Sequence, residues 1–214
     1  MPYTIKEIFH TLQGEGARTG RAAVFCSFAG CNLWTGREAD RATATCDFCD
    51  TDFVGTDGVG GGRFATAAEL VAAIRGTWDA AVPSTDGARP YVVFTGGEPL
   101  LQLDEAIVRG CHRAGFEVAV ETNGTVEPPP GIDWLTVSPK PGAAIVVRRG
   151  QELKLVYPIG VTPESVADLD FETFFLQPLD GPRREENVRL AAEYCLRHPR
   201  WRLSLQTHKI VGLP

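Results

Sequence analysis

The sequence has no long apolar run, no cluster of basic residues and no internal repeat. A membrane-spanning helix needs about 18 or more consecutive apolar residues, so we expect no membrane span. The 214 residues include 21 basic and 27 acidic side chains, which give a formal net charge of −6. Because phosphate backbones bind to basic surfaces, we also expect no nucleic-acid partner.

The first ten residues, MPYTIKEIFH, lack the apolar segment of a secretory signal peptide. We therefore expect a cytoplasmic protein, in a compartment where thiols stay reduced. The six cysteines are then expected to be metal ligands, catalytic thiols or core residues rather than disulfides. A hydrophobic content of 43% and a charged content of 22% are typical of a globular chain, and the length suits one domain over residues 1–214.

Strand-like and helix-like segments alternate along most of the chain. The predicted strands are 3–9, 21–28, 91–95, 116–122, 134–138, 152–157, 171–177 and 201–207, and the predicted helices are 66–78, 103–114 and 185–197. This alternation predicts an α/β protein with a mostly parallel sheet. In such sheets the functional residues gather at the carboxyl ends of the strands.

Three cysteines in a polar loop after the second predicted strand form the strongest motif. Cys31, Cys46 and Cys49 follow the spacing C-x14-C-x2-C. Three thiolates suit an iron–sulfur cluster with one iron left open, and they also suit zinc if a fourth ligand joins them. The spacing therefore predicts a metal centre in this loop.

The other three cysteines are expected to pack in the core. Cys26 is the candidate fourth zinc ligand, but it shares one strand face with Val24 and Phe28. Cys111 and Cys195 align with apolar neighbours on their predicted helices. Burial is the usual position of a free cysteine that is not reactive.

Several short motifs accompany the three cysteines. They are LQGEG (12–16), GCN (30–32), CDT (49–51), TGGEP (95–99), ETNG (121–124), SPK (138–140) and QPLDG (177–181). In this order they resemble the 7-carboxy-7-deazaguanine synthase family of the radical S-adenosylmethionine (SAM) enzymes, which serves queuosine biosynthesis and tRNA modification. The resemblance runs from residue 3 to the C-terminus. It implies an abridged, partly open radical SAM (βα) barrel with mostly parallel strands, a cluster-binding loop at 29–53 and a C-terminal tail at 208–214 near the active site.

The resemblance also implies the cofactors and their residues. Cys31, Cys46 and Cys49 would hold a [4Fe–4S] cluster, and SAM would chelate its open iron. The residues expected to bind SAM are Phe48, Gly97, Glu98, Ser138, Lys140, Gln177 and Asp180. Thr51 corresponds to a magnesium ligand of the family, and Mg²⁺ suits such a site because it prefers oxygen ligands and retains waters.

The implied reaction converts 6-carboxy-5,6,7,8-tetrahydropterin to 7-carboxy-7-deazaguanine by radical ring contraction with loss of ammonia, as a lyase. The residues expected to bind the substrate are Leu12, Gln13, Gly14, Glu15, Ser27, Thr95, Glu121 and Pro214, the last through its carboxylate. At position 27 the family often has arginine. A serine cannot clamp an anion with two parallel hydrogen bonds as arginine does.

Partners follow from the same resemblance, which implies a homodimer and an electron donor such as flavodoxin. Two other hypotheses stay open at this point. One is an activase of the same superfamily that generates a glycyl radical on a partner protein. The other is a zinc-stabilised binding module that uses Cys26 together with Cys31, Cys46 and Cys49.

Overall fold

Nine strands form one sheet in the computed structural model, which describes residues 2–83 and 87–214. Met1, which the predicted domain includes, lies outside the described residues. The strands are β1 (Tyr3–Leu12), β2 (Ala22–Phe28), β3 (Gly62–Phe64), β4 (Tyr91–Gly96), β5 (Glu117–Thr122), β6 (Trp134–Val137), β7 (Arg149–Tyr157), β8 (Asp170–Pro178) and β9 (Trp201–Leu203). Their order across the sheet is β3-β1-β2-β4-β5-β6-β7-β8-β9.

The sheet is mostly parallel. Strand β1 pairs antiparallel with both β2 and β3, whereas every neighbouring pair from β2–β4 through β8–β9 is parallel. Among the described residues, β3 and β9 are the two edges and do not pair with each other, so the sheet is not closed into a barrel. This confirms the predicted abridged and partly open α/β architecture.

Four α-helices accompany the strands in the described ranges. They are α1 (Ala67–Ala81), α2 (Glu105–Arg113), α3 (Arg184–Arg197) and α4 (Thr207–Val211). At the start of α1, the Thr66 hydroxyl accepts a hydrogen bond from the Glu69 amide at 3.2 Å. Leu70, Ile74 and Trp78 are buried on one face of α1. The predicted helix at 66–78 is thus confirmed, with a slightly longer C-terminal end.

The main core lies between the sheet and helices α1, α2 and α3. Cys26 and Cys111 are fully buried there, as predicted, and burial raises the pKa of both thiols. Cys195 is half-buried and packs at the edge of this core rather than inside it. These three thiols are therefore packing residues.

A second, smaller cluster covers the other face of the sheet at the amino ends of the parallel strands. Its centre includes Tyr91, on which the Arg21 guanidinium stacks at 3.9 Å. Arg18 stacks in the same way on Trp134 at 4.2 Å, and Glu117 pairs with both arginines. Cation–π and ion-pair contacts thus close this end of the sheet, and the opposite end is left for the site.

The last predicted strand, 201–207, is wrong beyond Leu203. Strand β9 ends there, and Thr207 begins the short helix α4. The Thr207 amide donates to the Gly14 carbonyl at 2.9 Å, so the chain turns away from the sheet edge toward the end of β1. Within 2–83 and 87–214, no helix has the length and apolar character that crossing a membrane requires.

Candidate active site

A cavity of about 510 Å³ opens at the carboxyl ends of the parallel strands. Its wall includes the ends of β4 and β5 at Thr95 and Glu121, and residues that follow β6 and β8. The end of β1 and the loop after β2 complete the wall. The predicted carboxyl-end location thus matches the position of the cavity.

Most of the predicted site residues meet at this cavity. Those in its lining are Leu12, Gln13, Glu15, Ser27, Cys31, Cys46, Phe48, Cys49, Thr51, Thr95, Gly97, Glu121, Ser138, Lys140, Gln177, Asp180 and Pro214. Gly14 and Glu98 lie behind the lining. Residues separated by up to about 200 positions in the chain therefore converge on one space.

The loop that carries Cys31 is held tightly against the end of β4. The Glu98 amide donates to the Gly30 carbonyl at 3.0 Å, and the Gly97 amide donates to the Phe28 carbonyl at 3.2 Å. A Cβ atom on Gly97 would lie 2.1 Å from the Gly30 carbonyl oxygen. Glycine at position 97 is therefore required for this close approach, which sets Cys31 beside the strand end.

The segment between Cys31 and Cys46 braces the cysteine pair that follows it. Within this segment, Arg41 donates to the carbonyl oxygens of Asp47 at 2.8 Å and Cys49 at 3.0 Å. Its guanidinium also stacks on Trp34 at 4.1 Å. The long first spacing of the cysteine motif thus contains a side chain that fixes the backbone around Cys49.

The cysteines do not come together as the zinc-module hypothesis requires. Among the residues with described positions, no three His, Cys, Asp or Glu side chains are close enough to hold one metal ion. Cys26, the fourth ligand of the zinc hypothesis, is buried in the main core. A hydrogen bond from Cys46 lowers the pKa of Cys49, which favours the thiolate in the cavity wall.

The Lys140 ammonium, in the segment after β6, lies near the cysteines. The Lys140 ammonium donates to the carbonyl oxygen of Ser138 at 2.7 Å and to its hydroxyl at 2.8 Å. Burial lowers the pKa of Lys140, and the nearby Cys46 sulfur opposes that shift. Lys140 and Ser138 thus present donors of fixed position to the cavity.

Glu98 has a structural position that sequence reasoning did not anticipate. Its side chain is fully buried. Its carboxylate accepts hydrogen bonds from the Leu100 amide at 3.0 Å, the Thr122 hydroxyl at 2.7 Å and the Asn123 amide at 2.8 Å. Burial raises its pKa, while these donors favour the ionised form. Glu98 therefore joins the ends of β4 and β5 behind the cavity wall.

Lys154 on β7 is a cavity residue that the sequence analysis missed. Its ammonium donates to Glu15, and to Glu121 at 3.0 Å. Burial would raise the pKa of Glu15, but the charge and hydrogen bond of Lys154 hold it at about 2. The signal in the sequence was a lysine inside the otherwise apolar run LKLVY, because a buried lysine requires anionic partners.

The C-terminal residues form one wall of the cavity. The Thr11 hydroxyl donates to the backbone oxygen of Pro214 at 3.1 Å. Lys209 pairs with Asp50 at 3.0 Å and with Asp180 at 2.7 Å, so it links this segment to the cysteine loop and to the end of β8. His208 also lies in the lining. Both residues belong to the predicted tail at 208–214, although neither was among the predicted ligand-binding residues.

Replacing Gly14 with alanine is expected to displace this wall. The added Cβ would lie 2.0 Å from the His208 ring nitrogen Nδ1 and 2.8 Å from the His208 backbone nitrogen. Because α4 is short and its residues are partly exposed, we expect a small change in melting temperature. A shift of about 1 Å in a cavity wall can lower kcat/KM on the order of 100-fold.

Steady-state kinetics and thermal melting of Gly14→Ala test this expectation. Gly76→Ala is the matched control, because a Cβ at position 76 meets no atom within 4 Å. The control should keep full activity and gain about 1 kcal/mol of helix stability. Wild-type kinetics for Gly14→Ala would show that the C-terminal wall is not needed.

A solved structure has a similar fold over nearly the whole chain. The crystal structure of QueE from Escherichia coli superposes with a TM-score of 0.67 at 29% sequence identity. The match covers 97% of this chain and 95% of that chain. No family model matches the sequence.

The open, mostly parallel sheet, with three cysteines at its carboxyl-end cavity, defines a radical SAM enzyme. Two curated relatives carry the name 7-carboxy-7-deazaguanine synthase: one from Bordetella pertussis is 64% identical over all of both chains, and one from Bacteroides thetaiotaomicron is 40% identical over 98% of this chain and 97% of its own. The chain belongs to the 7-carboxy-7-deazaguanine synthase family. The resemblance seen in the sequence motifs is thus confirmed, and a [4Fe–4S] cluster and SAM are the cofactors of this enzyme class.

Proposed function

We propose that this chain is the lyase that converts 6-carboxy-5,6,7,8-tetrahydropterin to 7-carboxy-7-deazaguanine, a precursor in queuosine biosynthesis. The observation that carries the proposal is the convergence of three cysteines and two carboxylates, Glu15 and Glu121, on one cavity. The cysteines suit a cluster, and the carboxylates suit a ligand rich in hydrogen-bond donors, such as a pterin ring. The relatives that share the whole length of the chain support the same conclusion.

Cys31, Cys46 and Cys49 would hold the [4Fe–4S] cluster in the loop formed by residues 29–53. When bound, the reduced cluster supplies the electron that cleaves SAM to the 5′-deoxyadenosyl radical. The chain's own contribution is to orient the ligands and to keep water away. Arg41 supports that contribution, because it holds the carbonyl groups of Asp47 and Cys49.

SAM would lie between the cysteine loop and the ends of β4, β6 and β8. Ser138 and Lys140 would bind its carboxylate, Gly97 would allow close approach of the backbone, and Asp180 would border the nucleoside. Phe48 and Gln177 also line this space. Because its carboxylate is already satisfied by three protein donors, Glu98 would contribute indirectly, through the strand end that it holds.

The substrate would lie beside Leu12, Gln13, Glu121 and Thr95, with Pro214 closing the cavity. Ser27 on β2 lies opposite Glu7 on β1 and lines the cavity, at the position where the family often has arginine. The family's usual bidentate clamp on an anion is thus missing at position 27. Mg²⁺ would then carry more of the binding of the substrate carboxylate in this chain.

Thr51 would be the protein ligand of Mg²⁺, and Asp50 would act from its outer shell. The side chain of Thr51 lines the cavity immediately after Cys49. We expect Thr51→Ala to lose activity, and added Mg²⁺ to restore it only in part, because one oxygen ligand is missing. The measurement is the rate as a function of Mg²⁺ concentration, with Thr51→Ser as the matched control that keeps the hydroxyl. Equal Mg²⁺ dependence of wild type and Thr51→Ala would contradict this assignment.

The partners proposed for the chain are an electron donor such as flavodoxin and a second copy of the chain, in a cytoplasmic location. Exposed apolar side chains at Ile210 and Val211, on α4, offer surface for an association of two copies. Sedimentation of the cluster-loaded protein distinguishes monomer from dimer. The donor is tested by replacing a chemical reductant with reduced flavodoxin in the assay.

An anaerobic assay tests the proposed function directly. The cluster-loaded protein is incubated with SAM, reductant, Mg²⁺ and the carboxy-tetrahydropterin, and the products are identified by mass spectrometry. We expect 7-carboxy-7-deazaguanine and 5′-deoxyadenosine. Formation of 5′-deoxyadenosine without the deazapurine would overturn the substrate assignment.

A further inference from the structure

A buried charged network joins strands β5 and β7 to the loop after β1 in the wall of the cavity. Lys154 on β7 pairs with Glu15 from the loop after β1 and with Glu121 at the end of β5. The side chain of Lys154 is 7% exposed, so its charge is held by these partners rather than by water. The hydrogen-bonded network contains two carboxylates and one ammonium, and the buried Glu152 carboxylate also acts on the charge of Lys154.

The two carboxylates of the network differ in how far the protein satisfies them. Glu15 accepts hydrogen bonds from Lys154, from Gln177 at 2.8 Å and from Gln206 at 3.1 Å. Glu121 accepts from two donors, Lys154 at 3.0 Å and Gln13 at 2.8 Å. A carboxylate can accept about four hydrogen bonds. Glu121 is thus the member with more capacity left for a ligand, and it lines the cavity with a more exposed side chain, 21% against 14% for Glu15.

The hydrogen bonds of the network form a chain that runs from β8 and the C-terminal segment to Glu121. Gln177 and Gln206 fix Glu15 from the side of β8 and the C-terminal segment. Glu15 in turn fixes Lys154, and Lys154 together with Gln13 fixes Glu121. Burial disfavours the ammonium, but the adjacent carboxylates of Glu121 and Glu15 raise the pKa of Lys154, so the centre of the network stays charged.

We propose that Lys154, anchored by Glu15, is a positioning residue that holds the Glu121 carboxylate in the orientation that binds the substrate. This inference rests on the proposed function for the identity of the ligand, and it changes the role of Glu15 within it. The side chain of Glu15 then acts through Lys154 rather than by contact with the substrate.

Four variants test the proposal: Lys154→Met, Lys154→Arg, Glu15→Gln and the double variant Glu15→Gln/Lys154→Met. For Lys154→Met we expect KM for the pterin to rise on the order of 30-fold, because Glu121 loses a buried charged partner. The dissociation constant for SAM, measured on the cluster-loaded protein, should stay unchanged. Lys154→Arg keeps the charge and should recover part of the loss.

The double variant separates positioning from direct contact. If Glu15 acts through Lys154, the double variant should bind the pterin no worse than Lys154→Met alone. If the double variant instead weakens pterin binding by the product of the two single-variant effects, Glu15 touches the substrate, and the assigned role is overturned. The double variant also removes two opposite charges together, so it remains informative if Lys154→Met alone folds poorly.

A crystal structure of the double variant provides a measurement that needs no substrate. We expect the Glu121 carboxylate to leave its place beside Gln13. A wild-type position of Glu121, or an unchanged KM in Lys154→Met, would refute the positioning role. If the wild-type enzyme makes no deazapurine, the proposed function fails, while the position of Glu121 in the variant still decides this inference.

Discussion

Replacing Cys31, Cys46 or Cys49 with alanine is expected to abolish formation of 5′-deoxyadenosine. With two thiolates left, a cubane cluster loses the ligand set that leaves one defined iron open for SAM. The three cysteines have no replacement nearby, since the other thiols of the described chain lie in or at the edge of the main core. The measurements are iron per chain, visible absorbance and deoxyadenosine by mass spectrometry after anaerobic reconstitution.

Cys195→Ala is the matched control for this experiment. Cys195 is half-buried on α3, packed against the core and outside the cavity lining. Its removal should leave the iron content and the activity at wild-type values. Retention of full activity in any one of the three cavity variants would contradict the assignment of that cysteine as a cluster ligand.

The largest expected effect on stability comes from Glu98. Replacing it with alanine leaves three buried donors without an acceptor, and we expect a loss of about 3 kcal/mol or more in the free energy of unfolding. Glu98→Gln should also destabilise the chain. Its amide nitrogen is a donor and would face either the Leu100 amide or the Asn123 amide, which are donors as well.

Chemical denaturation of the protein without cofactors measures the effect of Glu98 apart from catalysis. Glu105→Gln is the control: this exposed carboxylate pairs with Arg109 one helical turn away, and the change should cost about 0.5 kcal/mol or less. If Glu98→Ala were as stable as the control variant, the carboxylate would not be the link between β4 and β5. Activity lost at wild-type stability would instead favour direct contact with SAM.

Local rules were sufficient for much of the fold. Thr66 caps α1, Leu70 and Ile74 repeat on one helical face, and the apolar run 91–95 forms a central strand, because each of these signals lies within a few neighbouring residues. The predicted strand 201–207 failed for the opposite reason. The turn into α4 depends on a hydrogen bond between Thr207 and Gly14, which no local pattern reveals.

The candidate site shows the same division. The cysteine motif and the flanking short motifs were sufficient to name most of the cavity wall, because a ligand set and a family pattern are both written in sequence order. The network around Lys154 and the inward turn of Glu98 depend on which strands become neighbours. Strand β7 meets Glu15 and Glu121 across the cavity, and this arrangement follows from the strand order rather than from any short spacing.

The bond between Thr11 and Pro214 joins residues 203 positions apart. On a ribosome, the first strand is made long before the segment that completes the cavity wall, so the pocket stays open during most of translation. Contacts of such long separation also form late in folding, because closing a long loop costs entropy. A nascent or truncated chain without these last residues would therefore lack one wall of the space that the three cysteines line.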